Sequence, residues 1–230
     1  AYQSPVDGQI APYAIFVPTG YQEGSPIPLV ISLHGLGSPI MMNLRQVLGY
    51  DRDEEETVDH ALRHFPETED MGAIFVSPYG FGDTMFRFMG ESDVLAVIDE
   101  VEAAYDIDPN RIYLTGLSMG GTGTFDIGLH HADRFAGLLS LAGTADMRQY
   151  REFRRHPTYS WELALIDQYS ALRSAENAVN LPVIAIHGTR DRTRYTHSEI
   201  LTNQLEALGY TTALETPPLP HNVWRDAYAQ

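Results

Sequence analysis

The chain has 230 residues, of which 43% are apolar and 20% charged, values that suit a folded domain with a sizeable core and exclude intrinsic disorder. Fifteen basic side chains, all arginine, stand against 31 acidic ones; the net charge of −16 repels phosphate backbones and anionic lipid and argues against nucleic-acid and membrane-surface roles. The longest apolar runs, 29–33 and 73–76, are too short to cross a bilayer, and the lack of cysteine removes disulfides, thiolate nucleophiles and Cys-based metal sites.

Apolar runs of strand length recur along the chain at 13–17, 29–33, 73–76, 112–115, 137–141, 183–186 and 212–214. Several are continuous rather than alternating, as central strands covered on both faces require. Helical pattern lies between them. Residues 93–105 put Val94, Val97, Ile98 and Val101 on one face behind Ser92 as N-cap, and 198–208 align Ile200, Leu201, Leu205 and Leu208 before Gly209. Strand–helix alternation predicts an α/β fold with a mostly parallel sheet, as one domain over 1–230. The acidic run 51–59 reads as a solvated helix end. Residues 146–180, aromatic and helical in pattern, read as a cap inserted over the carboxyl ends of the strands, where a substrate crevice forms. The chain opens on Ala1, as a processed polypeptide would, which suits an extracytoplasmic location.

Gly116-Leu-Ser118-Met-Gly120 follows an apolar strand and precedes helical pattern. A serine on a sharp strand-to-helix turn projects its hydroxyl at the sheet edge, and small residues two before and two after let the backbones pass. The hydroxyl is a weak nucleophile and needs an imidazole to take its proton. In this architecture the nucleophile, acid and histidine follow in that order on late loops. Asp191, just past the strand at 183–186, and His221, past the last strand, meet that order; His197 is the rival base and Asp146 the rival acid. His34-Gly-Leu-Gly37 follows the strand at 29–33 and can aim the Leu36 N–H at a developing oxyanion, paired with the N–H of Met119. His130 and His131 fall on the helix after Ser118, His60, His64 and His156 read as surface residues, and His187 as a packed strand-end residue. No metal and no organic cofactor is called for.

These residues resemble the α/β-hydrolase family over nearly the whole chain. Pro12-Tyr-Ala-Ile-Phe-Val-Pro-Thr-Gly-Tyr21, Gly90-Glu-Ser-Asp-Val94, Tyr105-Asp-Ile-Asp-Pro-Asn-Arg111 and the Gly-Leu-Ser-Met-Gly-Gly run are similar to strings in the feruloyl and acetylxylan esterases of carbohydrate esterase family 1 and in polyhydroxybutyrate depolymerases. Residues 174–183 followed by His187-Gly188 resemble the prolyl-oligopeptidase-like hydrolases. The resemblance implies Ser118, Asp191 and His221 as a catalytic triad, with Glu91 and Asp93 structural. The chain stops nine residues past His221, earlier than such relatives, as a domain cut from a larger polypeptide would.

For substrate contact, Tyr79, Phe81, Phe86 and Phe88 form an aromatic cluster after the strand at 73–76, suited to an acyl or aryl group or to core packing. In the cap, Arg148, Arg151 and Arg155 share a helical face, either to grip a carboxylate or phosphate or to pair with neighbouring acids, and Trp161 follows. The expected activity is a serine esterase working through an acyl-enzyme on short-chain or aromatic acyl esters, free or linked to a polysaccharide. Tyr79, Phe86, Arg151 and Trp161 are the expected substrate contacts. A serine peptidase and a non-catalytic binding domain are the alternatives.

Overall fold

The computed structural model describes residues 1–51, 55–68, 70–150, 159–193 and 195–228. All seven strands expected from the apolar runs form, and they join one sheet: β3 (Tyr13–Phe16), β4 (Ile27–Leu33), β5 (Ile74–Pro78), β6 (Ile107–Leu117), β7 (Gly137–Leu141), β8 (Val183–Ile186) and β9 (Thr212–Glu215). Two short strands, β1 (Tyr2–Gln3) and β2 (Ile10–Ala11), make a separate antiparallel pair. In the large sheet the order is β3-β5-β4-β6-β7-β8-β9, and every pairing is parallel except that of β3 with β5. The carboxyl ends of β4, β6, β8 and β9 therefore open on one rim, where the fold class puts its chemistry.

The period of two along β4 divides the core. Leu29, Ile31 and Leu33 face a cluster built by Val94, Val97, Ile98 and Val101 of α3 (Met89–Ala104), Phe125, Ile127 and Leu129 of α4 (Met119–His130), and Leu201 and Leu205 of α6 (Thr196–Ala207). Val30 faces the other side, with Ala14, Phe75, and Leu44 and Val47 of α1 (Ile40–Val47). Trp224 of α7 (Trp224–Ala227) extends that second layer over Leu141 and Ile186. Among the described residues no helix is long and apolar enough to cross a membrane.

The helix at 93–105 begins earlier than Ser92 predicts. Phe88 is its N-cap, at φ 51°, and Ser92 lies inside, its hydroxyl donating to Phe88 O at 3.2 Å. Of the acidic run, residues 52–54 lie outside the described residues, and Asp59 sits exposed in the first turn of α2 (Val58–Arg63), capped by Thr57. Residues 147–149 form a 3-10 turn, Ser160–Gln168 a helix (α5), and Ala171–Asn180 a 3-10 run. Asp93 and Glu91 hold elements together. The Asp93 carboxylate is fully buried, accepting from the Tyr2 hydroxyl and from Gly80 N at 2.7 Å, and burial raises its pKa. Glu91 Oε1 receives His131 Nε2 at 2.8 Å and His130 Nδ1 at 3.4 Å.

Candidate active site

Ser118 joins β6 to α4 with φ 59° and ψ −110°, a left-handed conformation that a non-glycine residue adopts only when its surroundings enforce it. The enforcement is visible. The Ser118 N–H donates to Leu141 O at 2.8 Å, tying the turn to β7. A Cβ on Gly120 would stand 2.0 Å from Leu33 O, and one on Gly116 2.6 Å from the Gly120 carbonyl carbon. Only glycine at both positions lets β4, the turn and the start of α4 lie in contact. The serine hydroxyl is thus carried at the amino end of a twelve-residue helix, where free N–H groups favour negative charge.

Asp191 and His221 meet on the same rim. His221 Nδ1 lies 2.6 Å from Asp191 Oδ2, with the carboxylate side chain 2% exposed and the imidazole 37%. Their two loops are in direct contact: a Cβ on Gly188 would fall 2.2 Å from Leu219 O, and Arg190 N donates to Leu219 O at 3.0 Å. Burial alone would raise the Asp191 pKa, but N–H donation by His187 and His221, aided by Thr193, outweighs it and holds the carboxyl well below the usual carboxylate range. An ionised Asp191 can only accept, so the proton of the His221 imidazole sits on Nδ1 and Nε2 keeps its lone pair.

The 34–37 loop abuts this turn, since a Cβ on Gly35 would lie 4.0 Å from Ser118 Cβ. Among the described residues, neither the Leu36 N–H nor the Met119 N–H finds an acceptor. The loop is held from the side by residues 79–88: His34 Nε2 reaches Tyr79 O at 3.1 Å, and Gly37 N donates to Asp83 Oδ1 at 2.8 Å. Phe81, Met85, Phe86 and Phe88 all have positive φ there.

The other expected residues divide. Tyr79 is 40% exposed on the rim. Phe86 is a correction to the expected substrate wall: it has no exposed surface, because its ring is sandwiched against Gly80 and Gly123, each too close to admit a Cβ, and meets His34 edge-on. Trp161 is exposed on α5, and among the described residues its ring contact is with Tyr159. Arg151 and Arg155 lie outside the described residues, and Arg148 is paired with Asp167. The rival acid Asp146 instead caps the 3-10 turn, accepting from Arg148 N at 3.0 Å and Gln149 Nε2 at 3.2 Å. His197, the rival base, is buried on α6.

Two contributors escaped the sequence reading. His187 bonds Asp191, a link hinted at only by its spacing of four residues before the acid. Arg87 ties the rim to the 146–180 segment, donating to Asp126 Oδ2 at 3.0 Å and to Tyr169 O at 2.6 Å while stacking on the Tyr169 ring. Nothing in the spacing of Arg87 announces it.

A mostly parallel sheet, helices on both faces and a serine turn between β6 and α4 define an α/β-hydrolase fold. The S-formylglutathione hydrolase FrmB of Staphylococcus aureus superposes on 98% of this chain and 92% of its own with a TM-score of 0.71, at 18% identity. The model of the prolyl oligopeptidase family matches residues 90–219, and the chain belongs to that family. The match takes in Ser118 and Asp191 and ends two residues before His221. Among curated proteins, the chain is 27% identical over 134 residues to the bifunctional acetylxylan esterase/xylanase XynS20E of Neocallimastix patriciarum, covering 56% of this chain and 17% of that protein. It is 29% identical over 133 residues to the probable feruloyl esterase C of Aspergillus terreus, covering 57% of this chain and 46% of the relative. The chain thus spans less than half the length of these curated relatives.

Proposed function

We propose that the protein is a serine hydrolase that cleaves carboxylic esters through an acyl-enzyme, with Ser118 as nucleophile, His221 as general base and Asp191 as its partner. The observation that carries the reading is the His221–Asp191 pair at 2.6 Å on the rim that also bears Ser118 in its strained turn. His221 Nε2 takes the Ser118 proton as the oxygen attacks the ester carbonyl, and Asp191 stabilises the imidazolium that results. The Leu36 and Met119 N–H groups receive the oxyanion, each such donor lowering the barrier by about 3–4 kcal/mol. The imidazolium then returns its proton to the leaving alkoxide, and water, activated by the same imidazole, releases the acyl group.

Short-chain or aromatic acyl esters, including esters borne on a polysaccharide, are the proposed substrates. The esterase names of the two curated relatives and the exposed Tyr79 and Trp161 support that class. Peptide or amide cleavage is the second reading, favoured by membership of the prolyl oligopeptidase family. Labelling with a fluorophosphonate tests the nucleophile: the wild type takes up the label and Ser118→Ala does not. Matched p-nitrophenyl esters and anilides separate the two substrate classes. A wild type that refuses the label sinks the hydrolase reading, and faster anilide cleavage replaces ester with amide.

A further inference from the structure

We propose that His187 is a positioning residue for Asp191, the second imidazole donor to the oxygen that holds His221. This rests on the reading of Asp191 and His221 as acid and base given above. His187 is the first residue past β8 and has no exposed surface. Its backbone N–H donates to Glu215 O at 2.9 Å, which fixes it to β9. Its Nε2 lies 3.1 Å from Asp191 Oδ2 and 3.3 Å from Thr193 Oγ1, while Nδ1 lies 2.9 Å from the Ser198 hydroxyl. The single Ser198 proton can go to Nδ1 or to Gly143 O at 3.1 Å; with the ring hydrogen on Nε2 it goes to Nδ1.

These contacts set the proton positions. An ionised carboxylate accepts and never donates, so the ring nitrogen facing it carries hydrogen. Asp191 Oδ2 therefore receives two imidazole N–H groups, one from the partly exposed His221 and one from the buried His187. Oδ1 accepts from Thr193 N at 2.9 Å. A carboxylate held by His221 alone could turn about its last torsion and present either oxygen, or neither, to the base. With His187 and Thr193 engaged on opposite oxygens, that rotation is blocked and the Oδ2 lone pair stays aimed at His221. A histidine kept only for packing would need bonds to any nearby carbonyl; this one spends its nitrogens on the acid and on α6.

Removing the donor should act on turnover rather than on binding. In His187→Leu, kcat for a p-nitrophenyl ester falls about tenfold to a hundredfold with KM within roughly twofold of wild type. His187→Gln keeps an N–H at the reach of Nε2 and recovers most of the loss. Long-range 1H–15N spectra of the wild type supply a readout that needs neither a variant nor activity: at neutral pH they show His221 protonated on Nδ1 and His187 on Nε2. A His187 Nε2 without hydrogen overturns the proposal, as does a folded His187→Leu with wild-type kcat. If fluorophosphonate labelling fails while both tautomers are as stated, the hydrolase reading falls and the positioning of Asp191 by His187 stands.

Discussion

Asp126 shows how one residue can couple the site's surroundings to pH. Its side chain is 6% exposed, paired with Arg87, and burial pushes its pKa up to about 6 despite the nearby guanidinium. An aspartate in the unfolded chain titrates near 3.9. Between those values the folded state binds the extra proton, so this group's contribution to stability is fully present below about pH 4 and is lost as pH rises through 6. Asp126→Asn removes the titration. Urea midpoints at pH 4, 5, 6 and 7 should show the variant gaining roughly 2–3 kcal/mol on the wild type across that range. A constant difference over the four pH values would show that Asp126 titrates like any exposed aspartate. Asp191 has the opposite sign: its depressed pKa means that its stabilisation is present above pH 4 and erodes only on acidification below it.

At the scale of elements, the rim loop 79–88 carries the 34–37 loop. Asp83 is exposed, yet its Oδ1 takes the N–H of Gly37, the residue next to the proposed donor Leu36. Asp83→Ala should leave the melting temperature within a degree or two and lower kcat about tenfold, with KM little changed, because a loosened donor loses transition-state stabilisation first. Unchanged ester kinetics would show that Leu36 needs no such brace. The elements themselves divide by how their sequence signal arises. Central strands such as β4 and β5 are legible because burial on both faces forces continuous apolar runs. Ser118 is legible because its turn tolerates only glycine at 116 and 120, and Asp191 and His221 because parallel strands end on one rim. Helix α1 was not: it follows Pro39 with no side-chain cap and mixes Asn43 and Arg45 into its buried face. The start of α3 was misread for a related reason, since the residue that begins it, Phe88, caps through its backbone rather than a hydroxyl. Phe86 lies in an irregular loop without periodicity, so sequence could count the ring as aromatic but not tell which way it turns. His187 reads as packing because its contact with Asp191 is visible only in three dimensions.

At the scale of the whole molecule, most arginines among the described residues are committed to ion pairs, among them Arg45–Glu56, Arg134–Asp99 and Arg173–Asp167. The surplus of 16 negative charges repels itself. Raising NaCl from about 20 mM to 500 mM shortens the screening length from roughly 20 Å to 4 Å and should raise the melting temperature by a few degrees. A fall would mean that the local pairs outweigh the global repulsion. The order of the strands has a consequence for synthesis. Among the described residues, strand β9, which leads into His221, pairs with β8 alone, at one edge of the sheet. His221 leaves the ribosome 103 residues after Ser118. At 5–20 residues per second that separation is roughly 5–20 s of synthesis. On the proposed mechanism, a polypeptide truncated before β9 carries the nucleophile without its base and is inert.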